Sequence, residues 1–176
     1  MSRLCVAVVA DTHLPVRPSR RVLPDAVWRA VDDADVVVHA GDWMAPALLD
    51  SFAERSRLLV ACWGNNDGDE LRARLPEVGR AELDGLRLAV VHETGDATGR
   101  EARCDAAYAD DTDVLVFGHS HIPWDTTTPR GLRLLNPGSP TERRRQPACT
   151  FMTAEVRDGR LAAVERHEVP GPTAAR

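Results

Sequence analysis

The chain has 176 residues, 43% of them hydrophobic and 28% charged, a composition typical of a globular domain and unlike that of a disordered or fibrous protein. All 22 basic residues are arginines, which excludes a catalytic lysine amine and a Walker-type phosphate loop. The net charge of −5 argues against a general nucleic-acid or anionic-membrane binder, because such proteins present a basic face.

The organisation of the chain predicts a single domain over residues 1–169 and a flexible tail, 170–176, that is rich in proline and small residues. No apolar run reaches the roughly 18 residues that a membrane span requires. The four cysteines are scattered and form no CxxC pair. We therefore expect buried, reduced thiols in a cytoplasmic protein.

Short runs rich in Val and Leu alternate with helical patterns in the first two thirds of the chain. The predicted strands are Leu4–Ala10, Val36–His39, Leu58–Cys62, Leu86–Val91 and Val114–Phe117. The predicted helices are Pro24–Val31, Ala45–Glu54, Asp69–Leu75 and Arg100–Ala109. Each apolar run is too short for a typical helix, and the alternation favours α/β layering.

The pattern changes after Gly118, where predicted strands follow one another without long helices between them. These strands are Trp124–Pro129, Leu132–Asn136, Cys149–Val156 and Leu161–His167. The pair Asp158 and Gly159 is a hairpin signal and should join the last two strands.

Polar residues follow each of the five strands predicted before Gly118. In chain order they are Asp11 and His13, then Asp42, then Asn65, Asn66 and Asp67, then His92, then His119 and His121. Ligands bind beyond the carboxyl ends of strands in an open α/β sheet, so these side chains should converge on one edge. Oxygen and imidazole donors without thiolate suit hard or borderline divalent metals. Each motif alone is explained as well by a turn or a packed histidine, and it is their joint occurrence that predicts a metal site.

The same blocks carry a family resemblance. The chain resembles the calcineurin-like metallophosphoesterase superfamily, whose pattern D-x-H, GD, GN-[HC]-[DE], H and GHxH is matched over roughly Leu4–Pro147. The likeness is greatest to the small single-domain bacterial and archaeal phosphodiesterases, whose N-P-G-S segment is matched within Leu135–Pro140. The resemblance implies an α/β fold, a four-layer α/β/β/α sandwich of two mixed sheets flanked by helices, with the late strands supplying the second sheet.

The resemblance also implies two divalent metal ions and hydrolysis of a phosphodiester. One metal would be held by Asp11, His13, Asp42 and His121, and the other by Asp42, Asn65, His92 and His119. The residues expected to take part in catalysis are Asp42, Asn65, Asn66 and His92. Two metals about 4 Å apart can share a hydroxide and aim it at phosphorus. Mn²⁺ is expected first, with Fe, Ni²⁺ or Zn²⁺ as alternatives, because softness alone does not select among them.

Three departures from the family pattern affect the expected chemistry. Asn66 stands where the family has a catalytic histidine and the small subfamily often has cysteine, and an asparagine cannot act as a general acid. Glu93 follows His92 where glycine is common, so its carboxylate would either crowd the site or support a ligand. The loop Leu14–Pro18 lacks the usual glycine.

Some residues near these motifs have a structural interpretation as well as a functional one. We expect Asp67 to orient a neighbouring ligand and His39 to pack in the core or support a ligand. The basic run Arg143–Arg145 is either a solvated loop or a contact for substrate phosphate, since guanidinium groups match phosphate oxygens.

Two classes of function stay open at this stage. The first is a metal-dependent phosphodiesterase acting on a small phosphodiester, with no membrane partner and a possible homodimer. A nuclease like the larger family members is a less expected variant, because the net charge is acidic and no DNA-binding extension is evident. The second is a non-catalytic protein-interaction scaffold with the metallophosphoesterase fold, as the family's eukaryotic retromer subunit is. A scaffold need not keep all seven candidate ligands, so their presence here favours the enzyme.

Overall fold

The computed structural model describes residues 3–15 and 21–171. The helices are α1 (Asp25–Asp33), α2 (Pro46–Arg55), α3 (Asp69–Arg74) and α4 (Arg100–Tyr108). The strands of the first half are β1 (Arg3–Val9), β2 (Val36–Ala40), β3 (Leu59–Cys62), β4 (Val78–Leu83) and β5 (Leu86–Val91). Those of the second half are β6 (Val114–Val116), β7 (Trp124–Thr127), β8 (Arg133–Asn136), β9 (Cys149–Arg157) and β10 (Arg160–Val169).

The strands form two mixed sheets of five. The first has the order β10-β9-β1-β2-β3, in which β1, β2 and β3 are parallel, β9 is antiparallel to β1, and β10 is antiparallel to β9. The second has the order β4-β5-β6-β8-β7, in which β5, β6 and β8 are parallel and both edge strands are antiparallel. Helices cover the outer faces, and the predicted α/β/β/α sandwich is confirmed.

Three apolar layers hold the sandwich together, because strands such as β1 are hydrophobic on both faces. Val6 and Val8 point between the sheets and pack with residues of β5 such as Val90. Ala7 and Val9 point outward and pack against helices α1 and α2. A third cluster, which includes Leu115 and Cys104, lies between the second sheet and α4.

One expectation about the sheets was wrong, and one strand was not predicted. The late strands do not all form the second sheet, since β9 pairs with β1 and carries β10 into the first sheet. The edge strand β4 was not predicted, because Gly79, Arg80 and Glu82 interrupt its apolar pattern. The hairpin at Asp158 and Gly159 is confirmed, and both residues have the positive φ that such a turn requires.

Two features expected from the sequence fall wholly or partly outside the described residues. Residues 16–18 of the loop after His13 do so, as do residues 172–176 of the expected tail. Within the described part of the chain, no helix has both the length and the apolar character that crossing a bilayer requires.

Candidate metal centre

The candidate ligands lie where strands of both sheets end. Residues after β1, β2 and β3 come from the first sheet, and residues after β5 and β6 come from the second. The expectation of a single sheet edge was therefore wrong in detail. The face-to-face packing of the sheets brings two sets of carboxyl ends together, and the seven side chains form two adjoining clusters there.

The first cluster contains two histidines whose ring nitrogens face each other. Nε2 of His13 lies 3.1 Å from Nε2 of His121. Oδ1 of Asp11 lies 3.6 Å from the His121 nitrogen and 3.8 Å from the His13 nitrogen. These three residues are buried, and one donor atom from each falls within a sphere suited to a single cation.

The second cluster is built around the amide oxygen of Asn65. This oxygen lies 2.8 Å from Nε2 of His92 and 2.9 Å from Nδ1 of His119. Oδ2 of Asp42 lies 3.5 Å from Nε2 of His92 and also 3.5 Å from Nε2 of His13. The Asp42 carboxylate is therefore shared between the two clusters.

Backbone carbonyls fix which nitrogen of two histidines faces the site. Nδ1 of His92 donates to the carbonyl of Ala40 at 2.7 Å, and Nδ1 of His121 donates to the carbonyl of Glu142 at 2.6 Å. Each ring then presents an unprotonated Nε2 to its cluster. Burial lowers the pKa of His92 and that of His13, and it lowers the pKa of His121 to about 4. The rings are therefore neutral at pH 7, which is the form that binds metal.

The Asp11 carboxylate offers a test of whether a cation fits. Oδ2 of Asp11 is fully buried and has no hydrogen-bond partner among the described residues. Burial, and next the charge of Asp42, raise the pKa of Asp11 well above its ordinary value. An unpartnered buried carboxylate oxygen is costly, and a divalent cation would relieve both the desolvation and the repulsion. The donor set of carboxylate, amide and imidazole fits such an ion.

Asp67 supports the site through the backbone of two loops. Its Oδ2 accepts hydrogen bonds from the N–H of Gly64 at 2.7 Å and of Asp42 at 3.1 Å, and its Oδ1 accepts from the N–H of Met44 at 2.8 Å. This carboxylate is buried, and burial raises its pKa. It holds the backbone of Asp42 in place, as expected of a residue that orients a ligand.

Asn66 and Glu93 occupy different parts of the rim. The backbone N–H of Asn66 donates to Oδ1 of Asp42 at 2.9 Å, and its side-chain amide donates to Oδ2 of the same carboxylate at 2.8 Å. Oε1 of Glu93 lies 3.9 Å from Nε2 of His119, and both side chains are largely exposed. Glu93 thus lies beside a candidate ligand, at its outer side.

His39 is placed in the core and outside both clusters. It is fully buried, and its ring stacks on Trp43 with 3.5 Å between centroids. Its Nδ1 accepts the N–H of Gly41 at 3.2 Å, so Nε2 is the protonated nitrogen, and Nε2 lies 3.2 Å from Oγ1 of Thr12. His39 therefore braces the two loops that carry Asp11 and Asp42.

Two hydroxyl residues at the site were not singled out from the sequence. Oγ of Ser139 donates to the carbonyl of Asp11 at 2.7 Å, and Oγ1 of Thr141 donates to the carbonyl of Thr12 at 2.7 Å. Ser139 belongs to the N-P-G-S segment, so that motif was the available signal for it. Nothing in the sequence pattern pointed to Thr141.

The comparisons with known proteins agree with this geometry. The family model described as the calcineurin-like phosphoesterase superfamily domain matches residues 4–159. The chain therefore belongs to that superfamily, a family of phosphoesterases.

Among curated relatives, a probable metallophosphoesterase of Methanocaldococcus jannaschii is 32% identical over 161 residues, which are 88% of this chain and 77% of the relative. A phosphodiesterase of the same organism is 24% identical over 130 residues, which are 66% of this chain and 72% of that protein.

Solved structures share the fold at lower identity. The Thermotoga maritima protein TM1076 has a TM-score of 0.72 and 24% identity, with 94% of this chain and 99% of that chain covered. Vps29 from Entamoeba histolytica, complexed with Zn²⁺, has a TM-score of 0.72 and 20% identity, covering 94% and 98%. A structure described as a novel archaeal phosphodiesterase has a TM-score of 0.68 and 17% identity, covering 94% and 100%.

Proposed function

We propose that the protein is a metal-dependent phosphodiesterase that hydrolyses a P–O bond of a small phosphodiester. The observation that carries the proposal is the position of Asp42, whose Oδ2 lies 3.5 Å from a histidine nitrogen of each cluster. One carboxylate placed between a histidine nitrogen of each cluster is an arrangement that can hold two cations side by side. The phosphodiesterase among the relatives supports the substrate class.

The proposed ligands divide as the two clusters do. Asp11, His13, Asp42 and His121 would hold one ion, and Asp42, Asn65, His92 and His119 would hold the other. When bound, a pair of divalent ions supplies a water of lowered pKa as the nucleophile and neutralises charge on the phosphoryl oxygens. We propose Mn²⁺ first, with Fe, Ni²⁺ or Zn²⁺ as alternatives.

The chain's own residues have three tasks in this proposal. The buried histidines stay neutral and keep their lone pairs on the site at pH 7. The carbonyls of Ala40 and Glu142 fix the ring orientations of His92 and His121. Asn66 holds the Asp42 carboxylate through two hydrogen bonds and has no proton to give to a leaving group.

The test is a substrate panel with metal-reconstituted protein. Bis(4-nitrophenyl) phosphate, 4-nitrophenyl phosphate, cyclic nucleotides and single-stranded nucleic acid should be compared, with Asp42→Asn as the inactive control. We expect hydrolysis of the aryl diester above the monoester, and none of nucleic acid. Two metals should be found per chain by elemental analysis.

The lack of a general acid at Asn66 predicts the dependence on leaving group. General acid catalysis is typically worth about 10²–10⁴-fold. The wild-type rate should therefore fall steeply as the leaving-group pKa rises, and Asn66→His should reduce that slope. A flat dependence in the wild type would show that another acid already protonates the leaving group.

The scaffold alternative is decided by the same panel. Vps29 structures share the fold at 20% identity, which is a likeness of architecture alone. Against a scaffold stands the completeness of the two clusters, including the costly unpartnered oxygen of Asp11. If the protein holds two metals and hydrolyses none of the panel, the scaffold becomes the better conclusion.

A further inference from the structure

The turn after the N-P-G-S segment is attached directly to the candidate metal centre. The carbonyl of Glu142 accepts the Nδ1–H of His121 at 2.6 Å. Two residues further on, Nη1 of Arg144 donates to the carbonyl of His119 at 3.2 Å. The guanidinium of Arg144 therefore lies against the loop that carries both candidate ligands of the G-H-S-H motif.

Arg144 makes no close ion pair among the described residues. Within the described ranges, 3–15 and 21–171, no carboxylate lies within 4.0 Å of its guanidinium, and the residue is exposed. One of its five N–H donors is used on His119, which leaves four for another acceptor. Its backbone has a φ of +49°, a conformation that a non-glycine residue adopts at a cost.

The field of Arg144 nevertheless reaches into the site. Its positive charge opposes the rise in the pKa of Asp11, which burial and the charge of Asp42 cause, and adds to the lowering of the pKa of His13 and His121, which burial dominates. The two other arginines of the basic run behave differently. Arg143 donates to the carbonyl of Gln146 within its own turn, and Arg145 is exposed, with no hydrogen bond or ion pair among the residues described.

We propose that Arg144 binds a phosphoryl oxygen of the substrate on the His13–His121 side of the site, and so selects anionic phosphate esters. This rests on the proposed phosphodiesterase function. A guanidinium anchored through one N–H keeps a planar pair of donors free, and that fork matches two phosphate oxygens better than a point charge does.

The test compares Arg144→Ala, Arg144→Lys and Arg145→Ala, the last being a matched exposed control from the same turn. The kcat/KM for bis(4-nitrophenyl) phosphate and the binding of inorganic phosphate by calorimetry are measured on metal-loaded protein, together with metal content. Loss of a charged hydrogen bond corresponds to about a 10- to 100-fold decrease. We expect that decrease in both readouts for Arg144→Ala, partial recovery for Arg144→Lys, and less than a twofold change for Arg145→Ala.

Two results would overturn the role of Arg144. The first is a phosphate affinity and kcat/KM for Arg144→Ala within twofold of the wild type. The second is a loss of metal in proportion to activity, which would mean that Arg144 only holds the loop at His119. The proposed function can fail independently of this inference. If the wild type cleaves no diester but still binds phosphate in a way that depends on Arg144, the phosphate contact stands and the phosphodiesterase function is refuted.

Discussion

Replacing Asp67 by Asn tests how the loops after β2 and β3 are held. The Asp67 carboxylate accepts three backbone N–H groups, from Asp42, Met44 and Gly64. An asparagine can turn its oxygen toward the two N–H groups that share Oδ2, but its amide nitrogen then faces the third. The part-buried N–H of Met44 is left without an acceptor, which costs about 1–3 kcal/mol.

That cost should be visible in thermal unfolding. For a chain of this size, 1 kcal/mol corresponds to a change in Tm of about 2–4 °C, so Asp67→Asn should lower the Tm of the metal-free protein by roughly 2–12 °C. Because the N–H of Met44, two residues after Asp42, is no longer held, the variant should also retain less metal after dialysis. The two effects are measured separately, by calorimetry of metal-free protein and by elemental analysis of loaded protein.

Asp69→Asn is the matched control for this experiment. Asp69 is also an aspartate of the same segment, but it is exposed in the first turn of α3. Its interaction with the helix dipole is worth about 0.3–1 kcal/mol, and it touches neither loop of the site. Equal stability of Asp67→Asn and Asp69→Asn, with equal metal retention, would refute the role assigned to Asp67.

Three further predictions concern the ligands and their loops. Asp42→Ala should abolish both metals whereas His13→Ala should mainly weaken one, and equal single-metal loss by elemental analysis would contradict the shared role of Asp42. Gly64→Ala places a Cβ in overlap with Asp42 and should lower Tm and metal content, while Gly68→Ala, with open space around its Cβ, should leave the metal content unchanged. Burial lowers the pKa of His121 from 6.5 to about 4. Between pH 4 and 6.5 the unfolded metal-free chain therefore binds more protons at this residue than the folded chain does. The His121 contribution to the free energy of unfolding should thus be lost as pH falls from 6.5 toward 4, and the difference from His121→Gln in urea titrations at several pH values measures it.

The strand ends could be predicted from sequence because each is a local signal. A run such as that of β2, followed at once by Asp42, marks both the strand and the residue that it delivers. Short-range patterns of this kind located all seven candidate ligands, which the structure brings into two adjoining clusters. They could not show that the ligands come from two sheets, because strand pairing depends on contacts between residues distant in sequence. The pairing of β1 with β9, for example, joins Arg3 to Arg157.

The edge strand β4 also could not be predicted from its local sequence. Its Gly79 looks like a strand breaker, yet a Cβ there would lie 2.5 Å from the carbonyl oxygen of Ala61 in β3. Glycine is needed because the edges of the two sheets approach closely at this point, a contact that only the assembled sandwich creates. Gly79, which in the local sequence suggests the end of a strand, is therefore required by the packing of the two sheets.

The backbone conformation of the candidate ligands also depends on the assembled fold. Five of the seven candidate ligands have a φ in the left-handed region: Asp11, His13, Asp42, His119 and His121. Each such non-glycine residue costs on the order of 1 kcal/mol or more, so nothing in the local sequence favours these angles. They are imposed by hydrogen bonds between loops that are distant in sequence.

The hydrogen bonds in question join the loops in pairs. The N–H of Asp11 donates to the carbonyl of Gly41, and the N–H of His13 donates to the carbonyl of Asp42, each at 3.0 Å. Ser139 then ties the carbonyl of Asp11 to a third loop at 2.7 Å. Because these contacts are made by the backbone and by Ser139, the fold itself sets the positions of the residues in the two clusters, without a bound ion. Glycine at these positions would relieve the backbone strain of a positive φ but would offer no side-chain atom to a metal. The aspartates and histidines found there are therefore explained by the ligand atoms that they supply.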